Sequence, residues 1–456
     1  MLRRHEVAMS AREHPAALKY AAHVNPAFVK LLGAYGYGRV FERASGTRLW
    51  DSDGREYLDL LAAFGVMNLG HNPPKLRERI KAILDDDAPN LCHVGIQVHT
   101  ADLAERLAHG PLTRVLFSSS GGEAIESALK LARATTKRKP LLYCTGGFHG
   151  TGFGALSVMG SKRMREPFEP LVAECFEIPF DDLPALEQAL TQQRPAALIV
   201  EPIQAEAGVR VPKAGYLKRA KELCKAKGTL LVLDEVQTGI GRTGKMYAYE
   251  HEDFVPDILV LGKALGAGMV PISAALTTPE IHDRGYGRVD KFDMHSTTFS
   301  GNTFGCRIAL AGLDLLNEEG LVENARERGD ELLTKLRHAL EGHPFVKAIE
   351  GRGLLVGLEL GPTKQGLFDK LVEGVSKHIF GQWLAVRLLE VGIIAQPASQ
   401  QWNVLKLEPA LTITSEEIDR VVGAIKDILA DYRDLKSIVA DAGKRLGTQA
   451  LGGWSF

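Results

Sequence analysis

A lysine, Lys263, stands just past the apolar run Pro256-Asp257-Ile258-Leu259-Val260-Leu261-Gly262, where a basic side chain has no packing reason to be. An earlier run, Leu230-Leu231-Val232-Leu233, closes in the same way on Asp234. Short β-rich runs that end on a charged residue are how α/β proteins present reactive groups, because ligands collect at the carboxyl ends of parallel strands. An amine at one such end is a nucleophile toward a carbonyl carbon. A carboxylate at another can hold a heterocyclic nitrogen protonated, since the neighbouring positive charge lowers the acid's pKa while the anion raises that of the ring.

Other segments supply what such a pair needs around it. Ser118-Ser119-Ser120-Gly121-Gly122-Glu123 follows a β-like run and opens a helical pattern, so its small residues let backbone N–H groups point at an anion where the helix dipole assists. The same segment also reads as a tight turn with a serine cap. Gly146-Gly147-Phe148-His149-Gly150 sets a ring and an imidazole between glycines, which suits close approach to a flat ligand and equally suits ordinary packing. The run Ala196 to Val200 delivers Glu201 and, five residues later, Glu206. From Gly239 the chain nearly spells a P-loop through Gly244 and Lys245, but Met246 stands where a magnesium-binding hydroxyl is required, which argues against nucleotide hydrolysis. Lys263 is also readable as a surface lysine after a buried strand; the small residues Gly266-Ala267-Gly268 favour a ligand against the backbone there. His295-Ser296-Thr297-Thr298 adds hydroxyls within reach of a phosphate. A lysine for a Schiff base, an acid for a pyridinium nitrogen and a phosphate cup together point to pyridoxal 5'-phosphate.

The elements that must position these groups are those of an α/β protein. Apolar runs at Arg114 to Ser118, Pro140 to Tyr143, Ala196 to Val200, Leu230 to Leu233 and Ile258 to Leu261 alternate with helical patterns, which predicts βαβ units and a largely parallel sheet flanked by helices. Residues 15–41 read as an amphipathic arm, and Asp51-Ser52-Asp53-Gly54 as a hairpin turn. Later, helical charge patterning from Glu323 to Leu340, a β-like run from Gly353 to Leu360 and a helix from Ser415 to Tyr432 predict a smaller α+β lobe built from both chain ends. At 456 residues more than one lobe is expected: an arm and part of the small domain over 1–80, a large cofactor-binding domain over 81–325, and the rest of the small domain with a loosely ordered Gly-rich tail over 326–456. With Lys plus Arg at 55 against Asp plus Glu at 56, no overall field favours nucleic acid or an anionic membrane. Five scattered cysteines show no metal or disulfide spacing, so no metal site is expected. The absence of a long apolar segment after the N-terminal Met1-Leu2-Arg3-Arg4 leads to a cytoplasmic expectation.

Taken as blocks in order, Ser120-Gly121-Gly122-Glu123-Ala124, Gly147-Phe148-His149-Gly150, Glu201-Pro202-Ile203-Gln204, Leu233-Asp234-Glu235-Val236-Gln237-Thr238-Gly239-Ile240-Gly241-Arg242-Thr243-Gly244, Gly262-Lys263-Ala264-Leu265-Gly266 and Thr298-Phe299-Ser300-Gly301-Asn302 resemble those of class III pyridoxal-phosphate aminotransferases, over about residues 39 to 432. Gly244 to Glu252, with Lys406-Leu407-Glu408-Pro409, resembles the putrescine and ornithine branch. The resemblance implies fold type I, with Lys263 forming the Schiff base, Asp234 on the pyridinium nitrogen, Gln237 on the phenolic oxygen and Phe148 stacked on the ring. It further implies Ser120, Gly121 and Gly122 at the phosphate, His149 and Glu201 in the cofactor site, and a homodimer in which the residue matching Thr298 comes from the partner. A ping-pong reaction through pyridoxamine phosphate follows, with a 2-oxo acid as second substrate.

Two departures from that pattern bear on function. Gly122 stands where relatives usually carry Thr or Ser, which removes one hydroxyl donor to the phosphate. Lys406 stands where many relatives have an arginine that clamps a substrate α-carboxylate and pairs with the acid matching Glu206. Lysine is a point charge and cannot offer the bidentate fork, so Glu206 and Lys406 are the expected substrate-facing pair and a primary amine, diamine or ω-amino compound is the expected donor. An ornithine-like δ-aminotransferase and an aminomutase share the cofactor residues. A catalytically idle binding fold does not account for retaining both Lys263 and Asp234.

Overall fold

The computed structural model describes residues 14–34, 37–363, 380–432, 437–438 and 440–443. The arm expected over 15–41 is two short helices, Pro15–His23 and Pro26–Ala34, each opening on a proline whose missing N–H costs nothing in a first turn. Asn25 starts the second, its side chain accepting from the Phe28 N–H at 3.0 Å. Strands β1 (Phe41–Ser45), β2 (Arg48–Asp51) and β3 (Glu56–Asp59) form an antiparallel meander turning at Asp51, whose carboxylate accepts the Asp53 and Arg55 N–H groups.

The central sheet holds β4 (Arg114–Ser118), β5 (Leu141–Cys144), β6 (Cys175–Ile178), β7 (Ala197–Val200), β8 (Leu230–Asp234), β9 (Ile258–Leu261) and β10 (Ser273–Thr277), in the order β4-β10-β9-β8-β7-β5-β6. Only β10 runs against its neighbours β4 and β9. Strands β5, β7 and β9 are buried at every position and β8 at all but its first, which is why they read as unbroken apolar runs instead of alternating ones. Each leucine, isoleucine or valine so buried contributes about 1.5 to 3 kcal/mol. β5 starts at Leu141 because Pro140 has no N–H to give a ladder. β6, part-exposed and only four residues long, carries too weak a pattern to be read from sequence.

A second antiparallel sheet of β11 (Val346–Arg352), β12 (Leu355–Leu360), β14 (Gln396–Ala398) and β15 (Gln401–Leu407) packs under the helix Leu321–Ala339, which in turn packs on the helix Ser415–Ala430. The short β13 (Ile393–Ile394) leaves it to pair in parallel with β3, so one small sheet takes strands from both ends of the chain. Glu417 fastens that junction: it closes a capping box with Thr414, accepts from Thr47 Oγ1 at 2.6 Å, and pairs with Arg48 at 3.3 Å. Residues 444–456, expected to be a loose tail, lie outside the described residues. Among the described residues no helix is long and apolar enough to cross a membrane.

Candidate active site

The carboxyl ends of β4, β5, β7, β8 and β9 open on one edge of the central sheet, and the expected site residues gather there. After β4 the helix Gly121–Thr136 starts with Ser120 as its N-cap, the hydroxyl accepting the Glu123 N–H at 3.3 Å while the Glu123 carboxylate accepts the Ser119 N–H at 2.8 Å. The serine cap and the expected anion cup therefore fall on the same turn, where the first-turn N–H groups of Gly121 and Gly122 have no intrahelical acceptor. Gly121 must be glycine: a Cβ there would lie 2.8 Å from Val236 Cγ1. At Gly122 a Cβ would meet only Gly150 Cα, at 3.9 Å, so the space over it is open.

Asp234 ends β8 and is 4 % exposed. Its Oδ2 lies 2.7 Å from His149 Nδ1 and its Oδ1 accepts the Val236 N–H at 3.0 Å. His149, itself buried, is thus spent on orienting the aspartate through its Nδ1. Glu201 accepts the Phe148 N–H at 2.9 Å and so fixes the loop that carries the part-exposed Phe148 ring. Burial, reinforced by the like charge of Asp234, pushes the Glu201 pKa well above the usual carboxylate range.

Lys263 follows β9 at φ +46°, a left-handed conformation that costs a non-glycine residue about 1 to 2 kcal/mol. Its ammonium donates to Gln237 Oε1, and burial lowers its pKa from the ordinary lysine value, so it yields a neutral amine more readily than a surface lysine. The Gln237 amide nitrogen turns to the Glu408 carboxylate, at 3.0 and 3.2 Å, and lies 3.4 Å from Glu206 Oε1.

Lys406, on β15, is fully buried. Its ammonium pairs with Glu206 Oε1 and, at 3.2 Å, with Glu408 Oε2, and the Phe64 ring centroid lies 5.0 Å away. Burial works against the Lys406 charge, but Glu408 and Glu206 overcome it and raise its pKa. Burial likewise opposes the Glu206 charge, and Lys406, with the Ser399 N–H, holds that carboxyl down at about 2. Phe64 belongs to a turn, Ala62, Ala63, Phe64 and Gly65, in which all four φ values are positive, between 45° and 78°. Three consecutive non-glycine residues in that region are rare and mark a segment held by its surroundings.

Thr298 is the expected residue that does not join the others: its side chain is exposed on the loop before the helix Thr303–Glu318. The site's unread member is Glu408. It stands two residues beyond Lys406, and strand alternation puts both on one face; the proline after it and its place just past β15 hid a buried acid in what reads as a turn.

The aminotransferase class-III family model matches residues 34–429. The aminotransferase PigE of a Serratia species is 37 % identical over 90 % of this chain, and the chain spans about half (52 %) of that relative's length. An uncharacterized aminotransferase of Archaeoglobus fulgidus is 36 % identical, over 92 % of this chain and 96 % of its own. Among solved structures, the ornithine aminotransferase of Toxoplasma gondii is similar with a TM-score of 0.77 and 33 % identity, covering 86 % of this chain and 91 % of that one. A second structure of it carries pyridoxal phosphate at partial occupancy in its active site.

Proposed function

This chain belongs to the class-III aminotransferase family, and from that premise we propose that it transfers the amino group of a primary amine, diamine or ω-amino compound to a 2-oxo acid, with pyridoxal 5'-phosphate as cofactor. The observation that carries the reading is the placing of a strained, amine-bearing Lys263 on the same sheet edge as the buried Asp234–His149 pair and the glycine-built helix start. The donor set fits the cofactor. The open space over Gly122 and the unspent N–H groups beside it suit a phosphate, a buried carboxylate suits a pyridinium nitrogen, and the pinned Phe148 suits a ring face.

When bound, the cofactor supplies an aldehyde that captures amines and a ring that accepts the electrons freed when a C–H bond breaks. Lys263 is the covalent anchor. Once displaced, its Nζ is the base that takes the proton from the donor carbon, holds it and returns it, and its lowered pKa favours the neutral amine this requires. Asp234 keeps the pyridine nitrogen protonated and His149 keeps Asp234 in place. Gln237 has one amide N–H directed to Glu408, a second on a long 3.4 Å contact to Glu206 that would turn to the phenolic oxygen, and a carbonyl that receives Lys263.

We assign the chain to a homodimer. Val94 and Ile96 on one loop with Val98 at the helix start that follows it, and Val289, Phe292, Met294 and Phe299 on another loop, are all more than half exposed. The two loops are tied together, the Thr303 N–H reaching Asn90 O at 2.9 Å and Thr100 Oγ1 reaching Gly301 O. Exposed apolar side chains on two neighbouring segments are what a second copy would cover, and this supports Thr298 serving a neighbouring site.

Incubation of the reconstituted protein with putrescine, cadaverine, ornithine, alanine and glutamate against pyruvate and 2-oxoglutarate tests the reading. Turnover of the terminal amines is expected; a protein that takes up no cofactor and turns over none of the panel sinks it. Similarity to ornithine aminotransferases favours the terminal amine of an amino acid as one donor of this class. A further outcome concerns Gly122. Gly122→Thr is expected to tighten cofactor binding by about tenfold, because the hydroxyl adds one charge-assisted hydrogen bond in a space that is open. Titration of the cofactor-free protein followed by absorbance measures it.

A further inference from the structure

We propose that Glu408 decides which donors this site accepts, by engaging the Lys406 ammonium so completely that no N–H remains for a substrate carboxylate; the proposal rests on the transaminase reading above. A lysine ammonium has three donors. In this structure one meets Glu206 and one meets Glu408, and the Phe64 ring covers the third side at 5.0 Å. Lys406 and Glu408 are both 0 % exposed. An α-carboxylate beside Lys263 therefore finds two carboxylates and no free cation, which disfavours donors that carry one and leaves the 2-oxo acid acceptor weakly bound. An amine without that carboxylate meets no such repulsion.

Glu408 is held so that it cannot yield the position. Both its oxygens accept from Gln237, at 3.2 and 3.0 Å, and its N–H reaches Leu60 O at 2.8 Å. A Cβ at Gly65 would fall 2.5 Å from Glu408 Oε1, so the left-handed turn at Ala62 to Gly65 closes directly on the carboxyl. Arg242, which also feels the Glu408 charge, is fully buried and bonded to Asn68 Oδ1 and to the carbonyls of Leu354 and Pro409, so it offsets charge without serving a substrate. Glu206 alone would leave Lys406 one N–H for a carboxylate; the second acid takes it.

Glu408→Gln tests this, since it keeps the shape and an acceptor for Gln237 while removing the charge. The probe is glutarate, a dicarboxylate with no reactive group, titrated calorimetrically into cofactor-free and cofactor-loaded protein. The wild type is expected to bind it at least about tenfold more weakly than Glu408→Gln. In parallel, the variant's ratio of single-turnover reactivity with alanine or glutamate to that with putrescine should rise about tenfold and its KM for pyruvate should fall. Adding Lys406→Met should erase the gain in glutarate binding. Tight glutarate binding by the wild type, or an unchanged ratio of alanine to putrescine reactivity in Glu408→Gln, overturns the proposal. The wild-type titration decides it even where the variant does not fold. Failure of every amine to react would instead remove the transaminase reading, and glutarate binding would still report on Glu408.

Discussion

Lys263→Ala is expected to lower transamination by at least about 10⁴-fold, because one side chain supplies both the covalent anchor and the base that moves the donor's proton. The readout is steady-state turnover together with the yellow absorbance of the reconstituted protein, which the variant should lack; a variant retaining both would remove Lys263 from the chemistry. A stability comparison separates this role from packing. At φ +46° alanine remains strained and glycine does not, so Lys263→Gly should unfold at a higher denaturant midpoint than Lys263→Ala, by about 1 kcal/mol. The left-handed backbone then measures what the fold gives up to place an amine beside Gln237.

Lys406→Met is expected to lower stability by about 3 to 5 kcal/mol at pH 8, since it leaves Glu206 and Glu408 buried and unpaired. The sign of its pH dependence distinguishes this from simple loss of packing. In the wild type the Glu206 carboxyl is held at about 2, below the ordinary 4.5. The pair's contribution is thus present above pH 4.5 and lost only as pH falls through about 2, which leaves the region from pH 5 to 8 flat. Without Lys406 the main cause that depresses Glu206 is gone and burial raises it, so the deficit should shrink as pH falls from 8 to 5 because its protonation relieves the repulsion. Denaturant unfolding of cofactor-free protein at the two pH values checks it; an equal deficit at both would assign the loss to packing.

Much of the site was readable because its pieces are local. Asp234, Lys263 and Glu201 each close a short apolar run, and β8, β9 and β7 carry those runs to one edge with only one-residue adjustments at their ends. Burial on both faces produced the unbroken apolar pattern that marked them. β6 was not read because an exposed edge strand has no such pattern, and the arm resolved into two helices because proline at 26 interrupts a periodicity that spans it. His149 was readable as a member of the site but not as the partner of Asp234, a pairing that spans 85 positions.

The sequence by itself determined the family, the α/β architecture and the set of groups suited to a pyridine ring and a phosphate, since each depends on a motif of a few residues at a strand end. Only the tertiary structure decided what Lys406 does. Its replacement of an arginine was visible in the sequence, but its consequence depends on Glu206, 200 positions away, on Phe64 in a left-handed turn, and on Glu408, which also engages Gln237 across 171 positions. Whether a buried charge is free or neutralised is set by distances of a few ångströms in a low-dielectric interior, and no local pattern carries that information.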